Sequence, residues 1–304
     1  MSVPEYKFHR PQGDGRHIGD DHQRTENGQH EPQQVRNDLV DGQLGHGAGR
    51  EQVALRKLVE QLSMPAQRFE MHPVQPKTAK SWNHVALIEA ERTGVQTGLL
   101  SVAYPDITMD DAYAVQRAFV AAKGLDVIGW KIGLTSRAMQ QALGITTPDS
   151  GVLLDNMLFH SGDTVPAGRF IQPRIEAEIA FVMGSDIAGA GRSRADVIAA
   201  TGHVAPCLEI LDTRILRADP QTGKARIITD TVSDNAANAG IVMGDKTHSF
   251  DAHDLRWVGA IVAVDGVVEE TGLGAGVLND PVTGIIWLLD RLAQFGKGLK
   301  AGEI

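Results

Sequence analysis

The sequence predicts an α+β domain, rich in strands, over residues 81–304. Three observations predict it. Short apolar runs of strand length recur through this region, among them residues 127–135, 174–183 and 205–212. Gly, Pro, Asp and Asn clusters separate those runs. Amphipathic stretches of helical period stand before the first strand and after the last. No internal repeat is present.

Residues 1–50 do not read as folded protein. They are crowded with His, Gln, Gly, Asp and Arg, and their large apolar residues are scattered without period. Such a segment buries too little surface to offset chain entropy. His9, His17, His22, His30 and His46 match no metal-ligand spacing, and the tail is not a basic nucleic-acid arm. Residues 51–62 carry Val53, Leu55, Leu58, Val59 and Leu62 on helical spacing. Residues 1–70 are read as a disordered or mis-annotated extension, Met71 as the natural start, and 71–304 as the functional domain.

In the domain, Trp82, Val85, Leu87, Ile88 and Ala90 predict a helix ending near Gly94. Thr108 is an N-cap candidate before Asp110 and Asp111, and Ala112, Val115 and Phe119 carry the buried stripe of a helix stopped by Gly124. Residues 127–135 follow as an apolar strand holding one lysine, Lys131. Taken by itself, this segment reads first as an edge strand whose lysine snorkels to water. Residues 136–143 predict a short helix, 152–159 and 174–183 strands, and 194–200 a helix. His160, at a strand end, reads as a surface residue. Residues 257–264 and 267–271 predict a hairpin across Asp265-Gly266. Gly272-Leu273-Gly274-Ala275-Gly276 lacks the lysine and spacing of a nucleotide loop. Asp280-Pro281 opens a helix through Ile285, Leu288 and Leu292.

Composition narrows the function classes. A net charge of -9 argues against nucleic acid or an anionic membrane as partner. No apolar run approaches the roughly 18 residues of a membrane helix. The single cysteine, Cys207, lies in an apolar strand and reads as buried and reduced. A cytoplasmic location is expected.

The chemistry concentrates in two strands. Glu176 and Glu178 are two apart in an apolar run, so a period of two puts both on one face, with Ile175, Ala177 and Ile179 on the other. Two solvated glutamates on an edge strand would satisfy this spacing equally well. Glu209, between Leu208 and Ile210, is a third carboxylate in an apolar strand and needs a partner. Three carboxylates with open positions suit a hard divalent cation. The run Ser233-Asp234-Asn235-Ala236-Ala237-Asn238-Ala239-Gly240 is either a plain turn or a wall of the site.

Gly129-Trp130-Lys131-Ile132-Gly133-Leu134-Thr135-Ser136, Pro148-Asp149-Ser150-Gly151, residues 173–178, Glu209-Ile210-Leu211-Asp212, residues 233–240 and residues 269–279 occur in order over nearly all of 81–304. Together they resemble the fumarylacetoacetate hydrolase superfamily, in its 2-oxo acid hydratase and decarboxylase branch. The resemblance implies a strand-rich mixed β-sheet roll of the family's C-terminal domain type, with flanking N-terminal helices. It implies that Glu176, Glu178 and Glu209 hold Mg²⁺ or Mn²⁺, that Lys131 and Asp149 are catalytic, and that Ser233 and Asn235 line the substrate. The implied reaction adds water to a 2-oxo-alkenoate in meta-cleavage aromatic catabolism. On the homoprotocatechuate route this is conversion of 2-oxohept-4-ene-1,7-dioate to 4-hydroxy-2-oxoheptanedioate. The implied partners are a small 2-oxo-dicarboxylate and further copies of the chain. A 4-oxalocrotonate-type decarboxylase is the alternative within the branch. Family members are expected to continue past Ile304 by roughly one hairpin, so a truncated inactive homologue or partner subunit is the alternative of another class.

Overall fold

A computed structural model of the chain describes Tyr6–Lys7 and residues 83–304. The expected extension over residues 1–70, apart from Tyr6–Lys7, lies outside the described residues. So do the expected helix at 51–62, Met71 as a start, and Trp82.

Two packed helices precede the strands. Helix α1 (Asn83–Thr93) ends at Gly94, whose φ of 71° is the left-handed geometry that stops a helix. A short helix, α2 (Leu100–Ala103), leads to α3 (Met109–Lys123). Thr108 and Asp111 form a capping box at the start of α3, a feature that stabilises a helix by about 1 kcal/mol. Leu87, Leu99, Leu100, Val115, Phe119 and Ile215 pack together and anchor the pair. Val85, one of the apolar residues that predict α1, is exposed.

A ribbon follows. Strand β2 (Val127–Gly133) pairs antiparallel with β3 (Asp149–Leu154), across the short helix α4 (Arg137–Ala142). The strand expected at 152–159 is broken: a 3₁₀ turn at Asp155–Met157 ends β3 and starts β4 (Leu158–His160), which joins a different sheet. Strand β5 (Thr164–Val165) pairs with β1 (Tyr6–Lys7).

The central sheet contains β6 (Arg174–Met183), β8 (Thr201–Leu211) and β9 (Asn238–Met243), in the order β4-β9-β8-β6. The β4–β9 pair is parallel and the others antiparallel, so the sheet is mixed. Helix α5 (Arg194–Ala200) feeds β8, and α6 (Ile228–Ser233) precedes β9. Strands β10 (Gly259–Val264) and β11 (Val267–Leu273) make the expected hairpin; Asp265 and Gly266 both have positive φ, as a tight primed turn requires. Trp257, expected in that strand, lies in a 3₁₀ turn and is exposed.

Helix α7 (Pro281–Ala293) is capped by Asp280 and covers one face of the central sheet, where Val282, Leu288, Leu289 and Leu292 meet Phe181 and Val204. Strand β12 (Gly298–Leu299) pairs with β7 (Ile187–Ala188). The following residues tie ribbon to sheet. Glu303 O accepts from Met183 N, while Ile304 bonds Ile128 O through its N–H and Trp130 N–H through its carbonyl. Gly129 permits this contact, because a Cβ there would stand 2.0 Å from Ile304 O. The architecture is α+β, as expected. Among the described residues no helix is long and apolar enough to cross a membrane.

Candidate active site

Strands β6 and β8 pair so that Glu176 stands directly opposite Glu209 and Glu178 opposite Cys207. Residues opposite one another in an antiparallel pair share a face, so register collects the three glutamates on one side of the sheet. One oxygen from each lies within 4.8 Å of the others. At an effective dielectric constant of about 20, two unit charges at that separation repel by about 3 kcal/mol.

Lys131 is the cation facing them. Its Nζ lies 3.6 Å from Glu209 Oε1 and 3.8 Å from Asp149 Oδ1, and its side chain is only 11% exposed. The edge reading of this lysine is therefore overturned: β2 turns it into the protein, toward the carboxylates. Burial works against its charge, but Glu209, Asp149, Glu176 and Glu178 together outweigh burial and hold its pKa above the ordinary lysine value.

The carboxylates respond in the opposite direction. Burial pushes Glu178 up to about 8, with the Glu209 and Glu176 charges adding to the rise. Burial likewise takes Glu209 to about 7, against the pull of Lys131. Asp149 is raised by burial, resisted chiefly by the charge of Lys131. Four carboxylates around one ammonium leave an excess of negative charge. Glu209 Oε1 and Asp149 Oδ1 are buried and accept no hydrogen bond. An all-carboxylate donor set with an orphaned buried oxygen fits a hard divalent cation, and Glu176, Glu178 and Glu209 could hold it.

Two glycines shape the lysine's path. A Cβ at Gly151 would meet Lys131 Cγ at 3.2 Å, and one at Gly133 would meet Asp149 Oδ1 at 2.4 Å and Lys131 Nζ at 2.7 Å. Lys131, Glu178 and Glu209 also border a cavity of 730 Å³, otherwise walled largely by apolar side chains such as Leu153, Ile179 and Leu288.

Comparison with known proteins agrees with this geometry. The chain is 48% identical over 221 residues to a 2-oxo-hept-4-ene-1,7-dioate hydratase of Escherichia coli, covering 72% of this chain and 83% of the relative. It is 36% identical over 222 residues to a 2-keto-4-pentenoate hydratase of Paraburkholderia xenovorans, covering 72% of this chain and 80% of that one. The chain belongs to the fumarylacetoacetate hydrolase superfamily, in its 2-oxo acid hydratase and decarboxylase branch. Among solved structures, 4-oxalocrotonate decarboxylase from Pseudomonas putida G7, complexed with magnesium and adipate, superposes with a TM-score of 0.66 at 29% identity, over 76% of this chain and 87% of that one. No family-wide sequence profile matches the chain.

Within this superfamily member, the expected site residues divide. Glu176, Glu178, Glu209, Lys131 and Asp149 converge. Ser233 and Asn235 share neither the ion pairs nor the metal-ligand cluster of these residues. Both are fully buried, and neither borders the cavity. The Asn235 amide is occupied by the backbone of Val152, accepting from its N–H at 2.8 Å and donating to its carbonyl at 2.9 Å. The Asn235 and Asn238 side chains thus brace β3.

Sequence reasoning missed Gly133, Gly151 and the buried Arg214, which donates to the Asp234 carboxylate and to the carbonyls of Asp234 and Asn238. The signals were faint: glycines two residues from functional side chains, and an arginine three residues past a strand end. His160 is exposed and Cys207 buried, as expected.

Proposed function

We propose that this chain is a divalent-metal-dependent hydratase that adds water to a 2-oxo-alkenoate, with the seven-carbon 2-oxo-dicarboxylate as substrate. The observation that carries the reading is the convergence of Glu176, Glu178 and Glu209 within 4.8 Å, with Lys131 beside them. The substrate class draws on the 48% identity to the Escherichia coli hydratase. A divalent cation held by the three glutamates, Mg²⁺ or Mn²⁺, would supply Lewis-acid polarisation of the substrate's 1-carboxylate and 2-oxo oxygens. Lys131 stays an ammonium through neutral pH, so it stabilises negative charge developing on the 2-oxo oxygen. Asp149, whose Oδ1 lies 3.8 Å from Lys131 Nζ, supports that ammonium by its charge and is the second catalytic group of this reading. The cavity is walled largely by apolar side chains, which suits the hydrocarbon part of such a substrate. In the net reaction the C4–C5 double bond of the 2-oxo-4-enoate is lost as the hydroxyl of one water joins C4 and a proton joins C5, giving a 4-hydroxy-2-oxo acid. The same reading places the reaction on the homoprotocatechuate route of aromatic catabolism and makes the enzyme a homo-oligomer, both from family membership.

A decarboxylase is the second reading, supported by the likeness to 4-oxalocrotonate decarboxylase. The lower identity of that neighbour, 29% against 48%, favours the hydratase. The test follows the ultraviolet absorbance of the 2-hydroxydienoate with Mg²⁺, measuring CO₂ in the same tube. Absorbance loss that stops on chelation, without CO₂, is expected. Release of CO₂ would make it a decarboxylase, and no turnover by folded, metal-loaded protein would overturn both readings. Glu178→Ala should lose Mg²⁺-dependent turnover, and a normal metal response from that variant would remove Glu178 from the ligand set.

A further inference from the structure

Among the described residues β3 pairs with β2 alone, yet side chains bond its other edge at two successive outward residues. In an antiparallel ribbon the peptide groups of alternate residues point outward. Here those residues are Ser150 and Val152, and side chains bond all their outward groups. Ser150 N–H donates to Tyr113 Oη at 3.3 Å, and Ser150 O accepts from Gln116 Nε2 at 2.8 Å. Val152 N–H donates to Asn235 Oδ1, and Val152 O accepts from both Asn235 Nδ2 and Asn238 Nδ2 at 2.9 Å. One asparagine thus replaces the peptide unit of an absent neighbouring strand.

The position of Asn235 is demanding. Asn235, Ala236 and Ala237 all have left-handed φ, at 52°, 54° and 58°. Asparagine tolerates that region better than most residues. The backbone of this turn is also pressed onto the ribbon, since a Cβ at Gly151 would stand 2.5 Å from Asn235 O. Gly151 lies opposite Lys131, and Asp149 opposite Gly133. A shift of the outer edge of β3 therefore moves Asp149 and the floor under the Lys131 stem together.

We propose that Asn235 is a positioning residue: by mimicking a neighbouring strand it fixes β3, and so sets Asp149 against Lys131. The side-chain hydrogen bonds of Asn235 go to the backbone of Val152, not to Glu176, Glu178 or Glu209. The turnover part of this inference rests on the hydratase reading, whereas the placement of Lys131 does not.

The test uses the full chain with Asn235→Ala. Lys131 is followed by amine-reagent labelling and mass spectrometry, with the exposed Lys300 as reference. Local opening of β3 should speed labelling of Lys131 about tenfold relative to Lys300. Mn²⁺ affinity, read by electron paramagnetic resonance, should stay within about twofold, because the glutamates stand on β6 and β8. Where wild type turns over, kcat should fall about 100-fold, with KM within about threefold. Labelling and Mn²⁺ binding decide the inference even if wild type is inactive on the 2-oxo-enoate. Unchanged labelling, or labelling raised equally at every lysine, would overturn it. Should Asn235→Ala fail to fold, Tyr113→Phe removes one contact on the same edge. A change in Lys131 labelling of about fivefold is then expected, and no change overturns the proposal.

Discussion

Lys131 Nζ approaches Glu209 Oε1 to 3.6 Å although the two residues stand in different sheets, on β2 and β8. The bonds from Glu303 to Met183 and from Ile304 to Ile128 and Trp130 hold the sheets at this separation. The approach sets one positive charge against a carboxylate cluster built for a cation. Lys131→Met should therefore separate binding from turnover. Without metal, the variant leaves Glu209 and Asp149 buried without their cation, and removing one partner of a buried pair costs about 3–5 kcal/mol. Its metal-free melting temperature should fall. Mn²⁺ binding should hold or tighten, since a competing positive charge is gone, while kcat is lost. Weakened Mn²⁺ binding, measured by titration, would show instead that Lys131 orients Glu209.

The raised carboxyls make stability depend on pH in a direction opposite to the usual acid response. Glu178 sits at about 8 and Glu209 at about 7, against 4.5 for an ordinary glutamate. Between those values the folded state holds protons that the unfolded chain has released, so stability falls as pH rises from about 4.5 to 8. Lys131 does not alter this slope, because its contribution is complete below the ordinary lysine value of 10.5. The lowered acids Asp186, Asp196, Asp219 and Asp254 contribute in full above about 5. Metal-free protein should melt higher at pH 5.5 than at pH 8, with Mn²⁺ reversing the order as it displaces protons. Melting curves across that range check it, and a metal-free optimum at pH 8 would contradict the burial of these groups.

Much of this site was legible because it obeys local periods. The spacing of Glu176 and Glu178 fixes their common face, and Thr108 with Asp111 fixes a helix start. The meeting of Glu176 with Glu209 was not legible from spacing, since strand register is a long-range property set by turns and buried faces. Family resemblance supplied it. The polar run at 233–240 leaves a turn and a site wall both open for a physical reason: hydrogen-bonding capacity looks the same whether it serves a substrate or a lone strand edge. The pairing of β3 on one side shows where the Asn235 and Asn238 amides are engaged.

Gly133 offers a sharp test of the crowding around the lysine. A methyl group there would stand 2.4 Å from Asp149 Oδ1 and 2.7 Å from Lys131 Nζ, so one of them must move. Gly133→Ala should fold, because the φ of Gly133 is not among the positive ones. It should keep Mn²⁺ affinity and lose kcat by about 100-fold, the scale of a misplacement near 1 Å. Turnover within a few fold of wild type would show that the Lys131–Asp149 distance is not critical.

Arg214 carries the brace behind the site. Its guanidinium is buried against the Asp234 carboxylate and also bonds the carbonyls of Asp234 and Asn238, so it ties together the ends of the turn that presents Asn235. Burial raises the Asp234 carboxyl and would favour its neutral form, while Arg214 resists that shift. Arg214→Met leaves the Asp234 charge uncompensated and should cost about 3–5 kcal/mol in urea denaturation. The double variant with Asp234→Asn removes both charges and should recover a large part of that loss, because the unpaired charge dominates the single variant. If the double variant were as unstable as the sum of the two single changes, the pair would not be coupled. The carbonyl bonds of Arg214 would then be what holds the turn.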